Sequence, residues 1–378
     1  MLGTWFLVLA FSPVVVATAQ SSASPDQAWQ DAVDRYVSGD RAGAEMILWQ
    51  TTPAALLDSS RRAFERWRVG PAADAATGRM MIRRLQVSAL LPLDLLIRGG
   101  RAFASERELA LEDAAREASQ RLETFDRERH GPVATQVRQF RTWWRLALVQ
   151  HLIASGRFPD VAREAAVVHP AEEDVQARAA LALLRGVAIE TRARLADEGP
   201  SGTAAVSMRR LPASSRTGPM LIAMDDAGKQ YRRALALVPG DRELTLRLGR
   251  VAIERGRLDD AERTLAPLLP TPCRDAVCGL AHLFAGEVHE GRKDMAKAAG
   301  AYALASAVPA VRHSALVAMM QAAMRRGIAG GAYDLTRQFA TPLALAPRQA
   351  PDASSLYTSG RLIEADRILA HLIALVVP

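Results

Sequence analysis

Lysine, cysteine and aromatic residues are scarce in this chain, and each scarcity closes a class of function. Lysine stands only at Lys229, Lys293 and Lys297, so the formal net charge of +7 rests on arginine. A pI near 10.0 would suit nucleic acid. The paired arginines at Arg61-Arg62, Arg83-Arg84, Arg209-Arg210, Arg232-Arg233 and Arg325-Arg326 are scattered, however, and form no single stripe with interleaved stacking rings. Aromatics are 5% of the residues. The expectation is no nucleic-acid partner, with an anionic glycan as the polymer alternative. Catalytic signatures are also missing: no His-Glu-x-x-His, no Gly-x-Ser-x-Gly elbow, no phosphate loop and no dinucleotide fingerprint. The seven histidines are spread from His130 to His371 without clustering. A non-catalytic protein without cofactor or metal is expected, and an enzyme or metal-binding protein on a helical scaffold is the rival.

Long apolar runs are confined to the start. Leu2 to Ala19 is uncharged and mostly apolar, and Ala17-Thr18-Ala19 before Gln20 has the small-x-small form of a secretory cleavage site. This predicts export to the periplasm or medium with cleavage after Ala19. The segment carries no Lys or Arg, so an uncleaved anchor is the alternative, and membrane contact is expected at most through it. The remainder of the chain is rich in helix formers, with 49% hydrophobic residues overall and no series of strands.

One spaced pattern recurs from Ala227 onward. Ala227, Tyr231 and Ala234 precede Pro239; Gly249, Ala261, Leu265 and Leu268 precede Pro272; Gly286, Ala298, Tyr302 and Ala305 precede Pro309. Tyr231 to Leu265 is 34 residues and Leu265 to Tyr302 is 37. Small residues twelve apart let two helix backbones approach, the large residue four later fills the next gap, and the proline stops the second helix. Gly256 marks the turn inside a hairpin.

This pattern resembles the tetratricopeptide repeat, best from Leu248-Gly249 through Pro272, with Ala252 in place of a tyrosine and Leu268 in place of an alanine. Elsewhere it is degenerate, as in Gly39 and Ala44 or Gly156 and Ala162. The resemblance implies an all-α, right-handed α-solenoid of antiparallel helical hairpins. The expected organisation is a signal peptide at 1–19, degenerate repeats at 20–196, a flexible loop at 197–219, regular repeats at 220–340, and a linker with a capping helix at 341–378. The family's concave face is lined by outward positions of each first helix, which fall here at Arg250 and Glu254, Glu287 and Glu290, and Gln321 and Arg325. As a mixed-charge groove these six would take an extended peptide or a partner helix, and ordinary solvated surface is the alternative. An interaction scaffold of the bacterial envelope is the functional expectation, its partner a protein or peptide.

Four further features carry expectations. The two cysteines, Cys273 and Cys278, bracket the extra residues of the 37-residue interval. Residues five apart within one helix lie about 8–9 Å apart at Cα, beyond disulfide reach, so a bridge needs Cys273 in the turn and Cys278 early in the helix. A disulfide is expected; free thiols, or a metal site with His282 and His289, are the alternatives. The loop from Gly199 to Met224 holds Arg209, Arg210 and Arg216 and no acid, which would suit an acidic partner. Adjacent Trp143 and Trp144 cannot face one seam, so one should pack and the other lie at a boundary. The last helix, placed at Leu362–Val376, has an apolar face that either folds back on the preceding hairpin or makes a homodimer contact.

Overall fold

The computed structural model describes residues 24–51, 55, 58–59, 61–62, 75–99, 105–128, 132–198, 217–270, 272–325, 352–363 and 366–376. These are all-α, with no strand among them. The first half contains α1 (Pro25–Val37), α2 (Arg41–Gln50), α3 (Ala75–Gly99), α4 (Ser105–Glu128), α5 (Pro132–Ala154) and α6 (Phe158–Ala166). The second half contains α7 (Val175–Glu198), α8 (Gly218–Leu237), α9 (Arg242–Glu254), α10 (Leu258–Leu265), α11 (Ala276–Gly291), α12 (Met295–Ser306) and α13 (Arg312–Arg325). Two short helices come last, α14 (Ala353–Thr358) and α15 (Asp366–Val376). Consecutive helices pair as hairpins that stack on their neighbours, the expected solenoid.

Local chemistry explains the punctuation. Asp40, Asp241, Asp275 and Asp294 each cap a helix by accepting the backbone N–H three residues on, at 2.9, 3.0, 2.9 and 3.2 Å. Hairpin turns end the preceding helix with a left-handed residue and a bond back five residues, as from Arg257 N–H to the Ala252 carbonyl at 2.8 Å across Gly256. Asp294 N–H to the His289 carbonyl is the same turn, with Lys293 at φ 64° in the glycine position.

The unit of packing is a glycine on the first helix pressed against a large residue of the second. A Cβ on Gly249 would overlap Leu265, and one on Gly286 would overlap the Tyr302 ring. Gly186 of α7 meets Tyr231 of α8 in the same way. Glycine and large residue are 16 apart in the later units and 45 apart in this one, because α7 and α8 are longer than their counterparts and 199–216 stands between them. The helices on either side of the stretch expected as a loop, α7 and α8, pack on each other, while 199–216 itself lies outside the described residues.

The C-terminal helices depart furthest from expectation. The last helix starts at Asp366, and a separate short helix, α14, precedes it. The apolar face of α15 packs on α5 and α3, far back along the chain. Ile368, Leu369, Leu372 and Val376, with Leu362 just before the helix, are buried in the larger core, which runs from α1 to α9, so that face is covered by its own chain. Each such burial contributes about 1.5–3 kcal/mol as an upper estimate. Both tryptophans are buried, a correction to the boundary position expected for one: Trp144 donates to the Ala89 carbonyl at 2.8 Å in one seam, while Trp143 stacks on His371 of α15 at 3.8 Å in another.

Candidate functional site

The first helices of the three regular units, α7, α9 and α11, share one face. Arg250 and Glu287 each follow a unit glycine by one residue, so stacking sets them side by side, with a 2.5 Å ion pair between them. Arg250 also pairs with Glu254 one turn on, and its guanidinium lies 5.0 Å from the centre of the Phe284 ring. Burial works to lower the Arg250 pKa, but the charges of Glu254 and Glu287 outweigh it and hold the group cationic. Glu290 pairs with Arg325 at 3.5 Å, and Arg325 Nε donates to the Gln321 carbonyl at 3.4 Å. The six residues marked in the sequence thus fall into two groups, Arg250 with Glu254 and Glu287, and Arg325 with Glu290 and the Gln321 main chain.

Next to them lies a buried cluster that no sequence motif had marked. On α9, Glu243, Arg247, Arg250 and Glu254 succeed one another at intervals of four, three and four, which puts all of them on one stripe. Arg247 and Glu243 are fully buried and joined at 2.9 and 3.1 Å. On α7, Glu190 pairs with Arg194 at 2.5 Å and with Arg247 at 3.5 Å, and it accepts the hydroxyl of Tyr231. Burial works to raise the Glu190 pKa, yet the Arg194 and Arg247 charges and the phenol hydroxyls outweigh it and hold it below the usual range. Burial and the Glu190 charge push the Tyr231 and Tyr357 phenols up. These groups therefore keep fixed charges near neutral pH, which suits them to binding by geometry. The four-three-four charge stripe was the available signal.

An occupant already lies on this face, and it is the chain's own C-terminal segment. Asp352 accepts from Ser314 Oγ at 2.7 Å and from its N–H at 3.2 Å. Tyr357 then crosses the first helices: its hydroxyl donates to Glu190 at 2.8 Å, its ring meets Phe284 edge-on at 5.4 Å, and Arg247 and Arg194 sit 4.5 and 5.1 Å from its centre. Gly360, at φ 76°, turns the chain against Thr191 and Ile153 where a side chain would collide. Beyond the turn the Arg247–Glu243 pair grips main chain, with Arg247 donating to the Arg361 carbonyl at 3.0 Å and Glu243 accepting the Ile363 N–H at 3.1 Å. Arg367 pairs with Asp241 before α15 begins its apolar contacts.

Cys273 and Cys278 form the expected disulfide, with Cα atoms 5.8 Å apart, Cys273 in the turn and Cys278 in the first turn of α11. His282 brings a ring nitrogen within 4.8 Å of both sulfurs, but the bond between the sulfurs occupies the thiolates a metal would need. Burial pushes the His282 pKa down, against the Pro270 carbonyl. Arg209, Arg210, Arg216 and the whole of 1–19 lie outside the described residues.

A stacked row of hairpins with a peptide-filled first-helix face has a counterpart among known families. Residues 223–272 match the family described as tetratricopeptide repeat. This match covers α8 from its second turn, α9 and α10, which is the stretch where the glycine, alanine and proline spacing is most regular. The tetratricopeptide repeat is a protein–protein interaction architecture and is typically non-catalytic. No curated protein matches the chain.

Proposed function

We propose that this protein is an exported, non-catalytic interaction scaffold of the bacterial cell envelope whose first-helix face binds an extended peptide or a partner helix. One observation carries the reading: side chains of three successive first helices already bind a peptide segment, and two of them, Glu243 and Arg247, bind its main chain. Main-chain capture is how a surface takes up extended peptides in general. Export is supported by the apolar start ending in Ala17-Thr18-Ala19 and by the Cys273–Cys278 disulfide, which suits an oxidising compartment. On this reading 1–19 is a removed leader, the repeats from Val175 present the binding face, and the earlier helices buttress it.

The test is affinity capture from an envelope fraction with the full mature chain, beside a Glu243→Gln control whose circular dichroism matches the parent. A protein retained by the parent and lost from the control is the expected result. Equal retention by both chains would remove the first-helix face as the binding surface.

A further inference from the structure

From Asp352 to Ile363 the C-terminal segment is bound as a ligand is bound, through directed contacts on a face built by other elements, while α15 anchors it by apolar burial. Among the described residues its release would cut no hairpin, because α7 pairs with α8, α9 with α10 and α11 with α12, and the segment belongs to none of these pairs. The contacts also define what the face selects. The Arg247–Glu243 pair takes a carbonyl and an N–H two residues apart, which any extended stretch offers. Glu190 takes a hydroxyl, and the two guanidiniums against the ring suit an electron-rich aromatic. Phenylalanine would leave the Glu190 oxygen short of a donor, and a phosphorylated tyrosine would set anion against anion.

Resting on the scaffold function, we propose that the first-helix face is a receptor for a tyrosine ending a short helix with an extended stretch behind it. Residues 352–363 fill that receptor as a built-in competitor, which an incoming peptide of the same chemistry displaces while α15 keeps the segment tethered. A tethered occupant acts at an effective concentration of roughly millimolar order, so the free partner must outbid it, and weakening the tethered copy raises apparent affinity for the free one.

The experiment titrates a labelled synthetic peptide copying residues 352–363 against the full chain, monitored by fluorescence polarisation. The parent chain is expected to bind the probe weakly and a Tyr357→Phe chain about tenfold more tightly, since its own occupant has lost a hydrogen bond to a charged group. A probe carrying the same Tyr357→Phe change should lose about tenfold on either chain. Should Tyr357→Phe fail to fold by circular dichroism, Asp352→Ala at the rim, which gives up the Ser314 bonds, replaces it and is expected to raise probe affinity about threefold. Equal probe affinity for parent and variant, or binding indifferent to the tyrosine, overturns the competitor. If that happens while envelope capture still depends on Glu243, the scaffold stands and the competitor alone falls; capture indifferent to Glu243 with normal probe exchange gives the converse.

Discussion

At the scale of single residues, the polar positions are set by charge pairing and the small positions by contact. Burial works to raise the Glu112 pKa, but the His151 ring 3.7 Å away, a hydrogen bond from Arg116 and the charge of Arg157 outweigh it and bring the carboxyl down to about 2. A carboxylate depressed in the folded state contributes stability that is present above its unfolded pKa and lost as pH falls through the folded one. Stability should therefore fall as pH drops from about 4.5 towards 2, and Glu112→Gln should flatten that slope, as denaturant titrations at a series of pH values would show. Lys293 holds a left-handed conformation in the place where the preceding hairpin has Gly256. Lys293→Gly should stabilise the fold by about 1 kcal/mol, read as a higher denaturant midpoint with unchanged slope. Gly286→Ala runs the other way: the added carbon meets Tyr302, and a loss of about 1–3 kcal/mol is expected in the same assay. Gly249, Gly286 and the cysteine pair were legible in the sequence, because close approach and a stretched repeat leave marks of spacing, whereas Gly186 was hidden by its distance from Tyr231. The roles of Glu190, Arg247 and Tyr357 were not, because Tyr357 lies 167 residues from the carboxylate it meets and no local period links them.

At the scale of elements, helix existence and most ends were readable from caps, glycines and prolines. Arg41, for instance, begins α2 as the Asp40 cap requires. The pairing of α7 with α8 was hidden, because two longer helices and the stretch between them destroy the 16-residue interval that identifies a hairpin while leaving its contacts intact. The α14 helix was missed for a related reason: six residues are too few to show a helical period, and the helix is set by the Asp352 cap and the burial of Tyr357. The disulfide belongs to this scale as well. It closes a short loop between two hairpins, so its removal by Cys273→Ser with Cys278→Ser should cost about 2 kcal/mol at most. Calorimetry should show a modest fall in Tm with the unfolding enthalpy kept.

At the scale of the whole molecule, a row of repeats would ordinarily be stabilised by contacts between neighbours alone. Here α15 ties the end of the row to α3 and α5 near its beginning. Leu369→Asp, which places a charge in that seam, should free α15 and expose Trp143, seen as a red shift of tryptophan emission and rapid hydrogen exchange confined to α15 and the helices it leaves. The tie also has an order in time. On the proposed reading, a chain that folds from its amino end completes α7, α9 and α11 before residues 352–363 are in place, so its first-helix face would be open for an interval. A partner present in that interval would meet no competitor, whereas one arriving afterwards would have to evict it, and the molecule would thereby distinguish early companions from late ones.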